Sequence, residues 1–305
     1  MDGSIVDVAG VTVGHAHDAR AQTGCTVIAF GAAGAVCGVD VRGSAPGTRE
    51  TDLLAPTAYV EVAHAIVLAG GSAFGLAAAG GVVEELERRG VGYPVGPWRV
   101  PIVPAAIVFD LFSGDGSVRP DAAMGVAALR AARSKPPLQG RVGVGAGALV
   151  AKLMGLERAR FGGVGCASET SGELVVGALA VCNAVGNVYD PLTGEPIAMP
   201  LSGDVPFEER AALAAYTATP AVANTTLAVV ATNARLRKVD ATKVAQMAHD
   251  GLARAVRPAH LTRDGDTIFA CALGSVDAAL DLVGVMAADA VAAAIACGVR
   301  AANAS

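Results

Sequence analysis

A chain that must enclose a core with few aromatic rings has to bring its backbones close together. Aromatic side chains make up 4% of the 305 residues, hydrophobic residues 53%, and 38 residues are glycine. The interior must therefore be assembled from Ala, Val, Leu and Gly at the density of an organic crystal. Tightly stacked sheets and helices meet that demand, and the length admits one large domain or two small ones.

Charge and composition exclude several classes of function. The formal net charge is -5 and no basic run follows the spacing of a phosphate backbone, so nucleic acid is not an expected partner. No leading segment combines a positive start, an apolar stretch and a cleavage site, and no apolar run of eighteen residues lacks polar interruption. The most hydrophobic segment, from Asp277 to Arg300, carries Asp281 and Asp289 and reads as a buried or subunit-facing helix, not a membrane span. Six cysteines without C-x-x-C spacing read as small buried hydrophobes in a reducing cytoplasm. No metal is expected, because the five histidines form no H-E-x-x-H motif and His15-Ala16-His17-Asp18 reads as a solvated turn.

No cofactor is expected either. Gly70, Gly71 and Gly75 lack the dinucleotide spacing, and Gly143-Val144-Gly145-Ala146-Gly147-Ala148 follows a proline-bearing segment instead of a strand, so its G-x-G-x-x-A pattern has no βαβ context.

Strands and helices alternate without a repeat. Thr26 to Phe30 and Val36 to Val41 read as a hairpin about Gly31-Ala32-Ala33-Gly34. A polar loop from Arg42 to Asp52 follows, then a strand from Ala65 to Leu68 that turns through glycines into a helix stopped at Arg88-Arg89-Gly90. Further helices are predicted over Asp121–Arg133, from Phe207, and over Asp240–Arg257 with Asp240 as cap. Strands are predicted over Glu173–Val181, Asn187–Asp190, Thr225–Asn233 and Thr267–Leu273, and Thr217-Ala218-Thr219-Pro220 reads as a linker.

Chemistry concentrates at Ala223-Asn224-Thr225-Thr226, where an Asn-Thr step opens a β-branched run. By residue type alone Thr225 is a strand residue favoured by sheet packing. As a nucleophile its hydroxyl needs a base, and the nearest one is the α-amine that cleavage of the Asn224–Thr225 bond would free.

Gly10-Val11-Thr12-Val13-Gly14-His15, Thr23-Gly24-Cys25-Thr26-Val27, Val39 to Glu50, Leu68-Ala69-Gly70-Gly71, Ala223-Asn224-Thr225-Thr226 and Asp264-Gly265-Asp266-Thr267 occur in the order seen in the P1 family of self-processing aminopeptidases. The chain resembles that family, which includes the D-aminopeptidase DmpA, β-peptidyl aminopeptidases and nylon-oligomer hydrolases, and lies nearer the last. The resemblance implies an α+β fold, a four-layer αββα sandwich of the N-terminal-nucleophile type. It further implies one domain cut once into 1–224 and 225–305, which stay together, and a substrate that is a short peptide or similar amide.

Carried onto this chain, the resemblance makes Thr225 nucleophile and base, and Asn183 an oxyanion donor. Lys152 would be a donor or a charge that tunes the amine, and Asp264 and Asp266 an acidic pair orienting Thr225. Read as residues alone, Asn183 is a turn residue, Lys152 can equally be a surface lysine at a strand end, and Asp264-Gly265-Asp266 is a turn signal. Phe74 stands where many relatives carry tyrosine; it is a weak substrate-binding candidate and lacks that hydroxyl. The relatives are typically homo-oligomers, often tetramers, and the Ala-rich last helix suits a subunit interface. Two other classes share the pattern: an acyltransferase of the ornithine acetyltransferase kind, and an unprocessed, non-enzymatic binding member.

Overall fold

The computed structural model describes residues 3–201, 207–218 and 223–304. Two sheets lie face to face between two helical layers. The first sheet has the order Thr12–Asp18, Thr23–Ala29, Ala65–Ala69, Ala105–Ile107, Thr48–Arg49. Its outer face carries α1 (Ala77–Arg88) and α2 (Ala122–Ala131), which close a small core with Val27, Val67 and Ile107. The second sheet has the order Val164–Ser171, Leu174–Asn183, Thr225–Ala234, Thr267–Val276, Ala35–Val41, Val62–Ala63. A short helix, α3 (Glu209–Ala218), precedes the Thr225 strand, and α4 (Lys238–Ala255) and α5 (Leu280–Asn303) cover the sheet's outer face.

Between the sheets lies the central core, where Ile28, Ile66 and Leu68 of the first meet Leu179, Leu227, Val229 and Phe269 of the second. This is the αββα sandwich. The Thr225–Ala234 strand is buried at nine of its ten positions because it is roofed by the first sheet on one face and by helices on the other. Strands of that kind read as continuous apolar runs, not as alternations. It pairs antiparallel with Leu174–Asn183 and parallel with Thr267–Val276. The parallel step requires a crossover, which α4 supplies.

Several expected elements form as read, Asp121 capping α2 through the Met124 amide among them. Four expectations are corrected. Thr23–Ala29 and Ala35–Val41 do not form a hairpin: they belong to different sheets, and the Gly31–Gly34 turn, with positive φ at both glycines, carries the chain from one layer to the other. Both edges of Thr23–Ala29 are already occupied by Thr12–Asp18 and Ala65–Ala69, so no edge is left for a third strand. His15 to Asp18 is strand, not turn, with the His15 ring on the Thr26 hydroxyl. Asp240 is the third residue of α4, where its carboxylate accepts from the Arg237 amide; the helix begins at Lys238. Of the expected linker, Thr217 and Ala218 belong to α3, and Thr219 and Pro220 lie outside the described residues.

The small-residue composition shows its purpose where helices cross. A Cβ built at Gly251 on α4 would lie 1.9 Å from the Ala288 carbonyl oxygen of α5, a distance no real methyl reaches. Among the described residues α5 alone is long and apolar enough to cross a membrane, and its apolar positions Val283, Met286, Val291 and Ile295 are buried in the core beneath the second sheet. Substituting Gly251→Ala should force α4 and α5 apart and cost about 1–3 kcal/mol of stability, read as a lower denaturation midpoint at unchanged slope.

Candidate active site

The site gathers at one end of the second sheet. Thr225 is the first residue of its strand and stands opposite Asn183, the last residue of the neighbouring one. Asp264, Gly265 and Asp266 lead into Thr267 on the other side, and Asn224 bridges to Asp264 in parallel register. Sheet pairing thus brings together three segments far apart in sequence. Thr225, Asn183, Lys152, Asp264 and Asp266 are all buried.

The Asn224 carbonyl is held from two sides. Its oxygen accepts the Thr225 hydroxyl at 2.5 Å and the Gly265 amide at 2.8 Å. Gly265 is there for lack of a side chain: a Cβ on it would sit 2.8 Å from the Thr225 hydroxyl oxygen and 2.9 Å from the Ala45 carbonyl. The Asn224 side-chain amide donates to the Tyr216 hydroxyl at 2.7 Å, which ties the end of α3 to the Asn-Thr step. The start of the expected Arg42–Asp52 loop, ahead of the Thr48–Arg49 strand, packs here through its backbone, with the Arg42 amide on the Asp266 carbonyl and the Ala45 amide on that of Asp264.

Lys152 is no surface lysine, being only 3% exposed. It opens a one-turn 3₁₀ helix after Ala151, whose left-handed backbone swings the side chain inward. Its ammonium donates to the Asn183 carbonyl at 2.8 Å and to Asn183 Oδ1 at 3.2 Å. That oxygen also accepts from the Leu149 amide, while Nδ2 donates to the Phe109 carbonyl, so the Asn183 amide is oriented and, among the described residues, keeps one N–H to spare. Burial pushes the Lys152 pKa down to about 7, with Cys182 and Asp264 opposing the fall.

The two aspartates have different environments. Asp266 accepts the Thr226 amide at 2.6 Å on one oxygen, and the backbone amide and ring Nδ1 of His260 on the other. Asp264 accepts only the Leu261 amide, and its Oδ1 is buried with no hydrogen-bond partner among the described residues. Burial first, then repulsion from Asp266, raises its pKa to about 6. A lysine near 7 and a carboxyl near 6 in one dry cluster can exchange roles as proton donor and acceptor around neutral pH.

A cleft of about 360 Å³ opens beside Lys152, lined by Leu153, Met154, Leu156, Ala215 and Tyr216. Phe74 lies apart from this network, 57% exposed, with the Arg119 guanidinium stacked 3.7 Å over its ring. Sequence reasoning missed Gly265, whose backbone amide has no side-chain signature, as well as Tyr216 and His260. A glycine between two aspartates was the one available pointer to the first.

The family model of peptidase family S58 matches residues 3–305. The chain belongs to that family. This S58 chain is a hydrolase of amide bonds. It is 46% identical over 294 residues to an uncharacterized aminopeptidase of Mycobacterium bovis, covering 90% of this chain and 82% of the relative. It is 33% identical over 286 residues to a 6-aminohexanoate-oligomer endohydrolase of Kocuria sp., covering 89% and 75%. Its fold matches an L-aminopeptidase D-Ala-esterase/amidase from Ochrobactrum anthropi, described as a variant of the Ntn hydrolase fold, with a TM-score of 0.75 at 19% identity over 99% of this chain and 88% of that one. A Burkholderia sp. beta-aminopeptidase matches with a TM-score of 0.72 at 24% identity, covering 97% and 86%.

The buried lysine of this S58 chain has a measurable signature. A group whose pKa is depressed on folding contributes stability that is complete above its unfolded value, about 10.4, and is lost as pH falls toward about 7. Lys152→Met should therefore flatten the rise in stability over that range relative to wild type. Urea melts at stepped pH give the difference, and parallel profiles would place Lys152 in contact with water.

Proposed function

We propose that this chain is an N-terminal-nucleophile aminopeptidase that cuts itself between Asn224 and Thr225 and then hydrolyses short peptides or similar amides through an ester on Thr225. The observation that carries the reading is the Asn224 carbonyl, held by the hydroxyl that would attack it and by the Gly265 amide that would receive its negative charge. In the first reaction Thr225 Oγ1 adds to the Asn224 carbon, its proton passing to the Lys152–Asp264 cluster. The C–N bond breaks with a proton delivered to nitrogen, leaving Asn224 as an ester on Oγ1. Water opens that ester, giving a carboxylate on Asn224 and a free α-amine on Thr225.

That amine titrates near 7.7 to 8.0 in an ordinary setting, so it can take the hydroxyl proton at neutral pH. Thr225 would then attack a substrate carbonyl. The leaving amine departs with the proton, and water releases the acyl group. The spare N–H of Asn183 and the Lys152 ammonium supply donors for the oxyanion at this stage, and Asp264 and Asp266 orient the new chain end. The cleft beside Lys152 is apolar and would take the acyl side chain. Relatives named as aminopeptidases support a substrate with a free amino terminus. Free cysteines, five of six buried, suit a cytoplasmic setting, and Leu282 and Val285, apolar and exposed on α5, suit a homo-oligomer.

Intact-mass measurement of purified wild type should give two fragments whose masses sum to the chain plus one water, and Thr225→Ala one uncut mass. Hydrolysis of amino-acid p-nitroanilides by the variant should fall about 10³-fold or more. Cleavage of the variant at the same bond would remove Thr225 from its role.

A further inference from the structure

Behind Asp266 runs a line of side chains that the proposed chemistry does not use. His260 has a left-handed backbone, φ 56°, which a non-glycine residue adopts only at a cost. That conformation points the residue's amide and its ring Nδ1 at one target: Asp266 Oδ2 accepts the first at 3.1 Å and the second at 2.8 Å. The ring of His249, fully buried on α4, stands edge-on to the His260 ring with centroids 4.9 Å apart. His249 Nε2 lies 3.1 Å from the Asp40 carbonyl oxygen, which can only accept, so that nitrogen carries the proton. Burial lowers the His249 pKa to about 4, against a smaller opposing effect of Asp40, and keeps the imidazole neutral.

The opposite oxygen of Asp266 holds the Thr226 amide at 2.6 Å. That N–H belongs to the peptide plane attached to Thr225, and the tilt of this plane sets where the Thr225 side chain and α-nitrogen point. We infer that His260 is a positioning residue for the nucleophile: through Asp266 it fixes the Thr225–Thr226 peptide plane, and His249, anchored on Asp40, fixes the His260 ring.

The inference rests on Thr225 being the nucleophile, and its functional consequence follows from how steeply reaction rates depend on alignment. Asn is the conservative replacement, since its Nδ2 stands where the ring Nδ1 stood and it tolerates a left-handed backbone. Leu fills the space without a donor. His260→Leu should slow self-cleavage and lower kcat about tenfold or more with KM changed less than about twofold, and His260→Asn should recover to within about threefold of wild type. Wild-type rates in His260→Leu, or a His260→Asn variant no faster than His260→Leu, overturn the inference.

A second measurement needs neither catalysis nor a folded His260 variant. In histidine-labelled Thr225→Ala protein, the nitrogen-detected spectrum should show His260 protonated at Nδ1, and Asp266→Asn in the same background should abolish that signature. A His260 ring protonated at Nε2 alone overturns the inference. Should wild-type protein fail to cut itself, the functional proposal falls while this spectroscopic result still decides whether His260 holds Asp266.

Discussion

Everything at the site depends on where the Thr225 strand begins. It is wedged between an antiparallel neighbour ending at Asn183 and a parallel neighbour entered through Asp264, Gly265 and Asp266. Because ladder hydrogen bonds fix register, a slip of one residue would turn Thr225 to the opposite face of the sheet and exchange its surroundings entirely. The register also places the Gly265 amide against the Asn224 carbonyl, so the donor for that oxygen is built from main chain and cannot rotate away.

Removal of water gives the cluster its electrostatic character. Lys152, Asp264 and Asp266 are all buried, and each is satisfied differently. Lys152 leans on carbonyl and amide oxygens of Asn183, Asp266 collects three N–H donors, and Asp264 collects one and has the raised pKa. The same carboxyl group two residues apart therefore has two environments, one satisfied by several donors and the other buried beside a like charge. An alanine- and glycine-rich interior assists by letting loops from both sheets crowd into a small volume without bulky side chains between them.

Much of this was legible in the sequence, and the gaps have identifiable causes. The Asn-Thr step and the Asp-Gly-Asp loop stood out because ordered motifs tied them to a family, whereas residue order alone does not separate a buried Lys152 from a surface one. Buried strands such as Leu174–Asn183 were readable from continuous apolar runs. The Gly31–Gly34 turn was misread because positive φ serves a crossing between layers as well as a hairpin, and only the occupied edges of Thr23–Ala29 distinguish the two. His249 and His260 could not be paired in advance. One lies on a helix and the other in a loop, and their meeting depends on how α4 lies across the sheet.

The arrangement of strands has a consequence for the proposed self-cleavage. Thr225–Ala234 and Thr267–Val276 form the middle of the second sheet, flanked on one side by Leu174–Asn183 and on the other by Ala35–Val41. Scission at residue 224 would leave the later fragment clasped by the earlier one along two ladders, so the pieces would not drift apart. Once melted, however, they would meet again only by diffusion. Renaturation would turn bimolecular and dilution-sensitive, and maturation would make an initially reversible protein one that is assembled a single time.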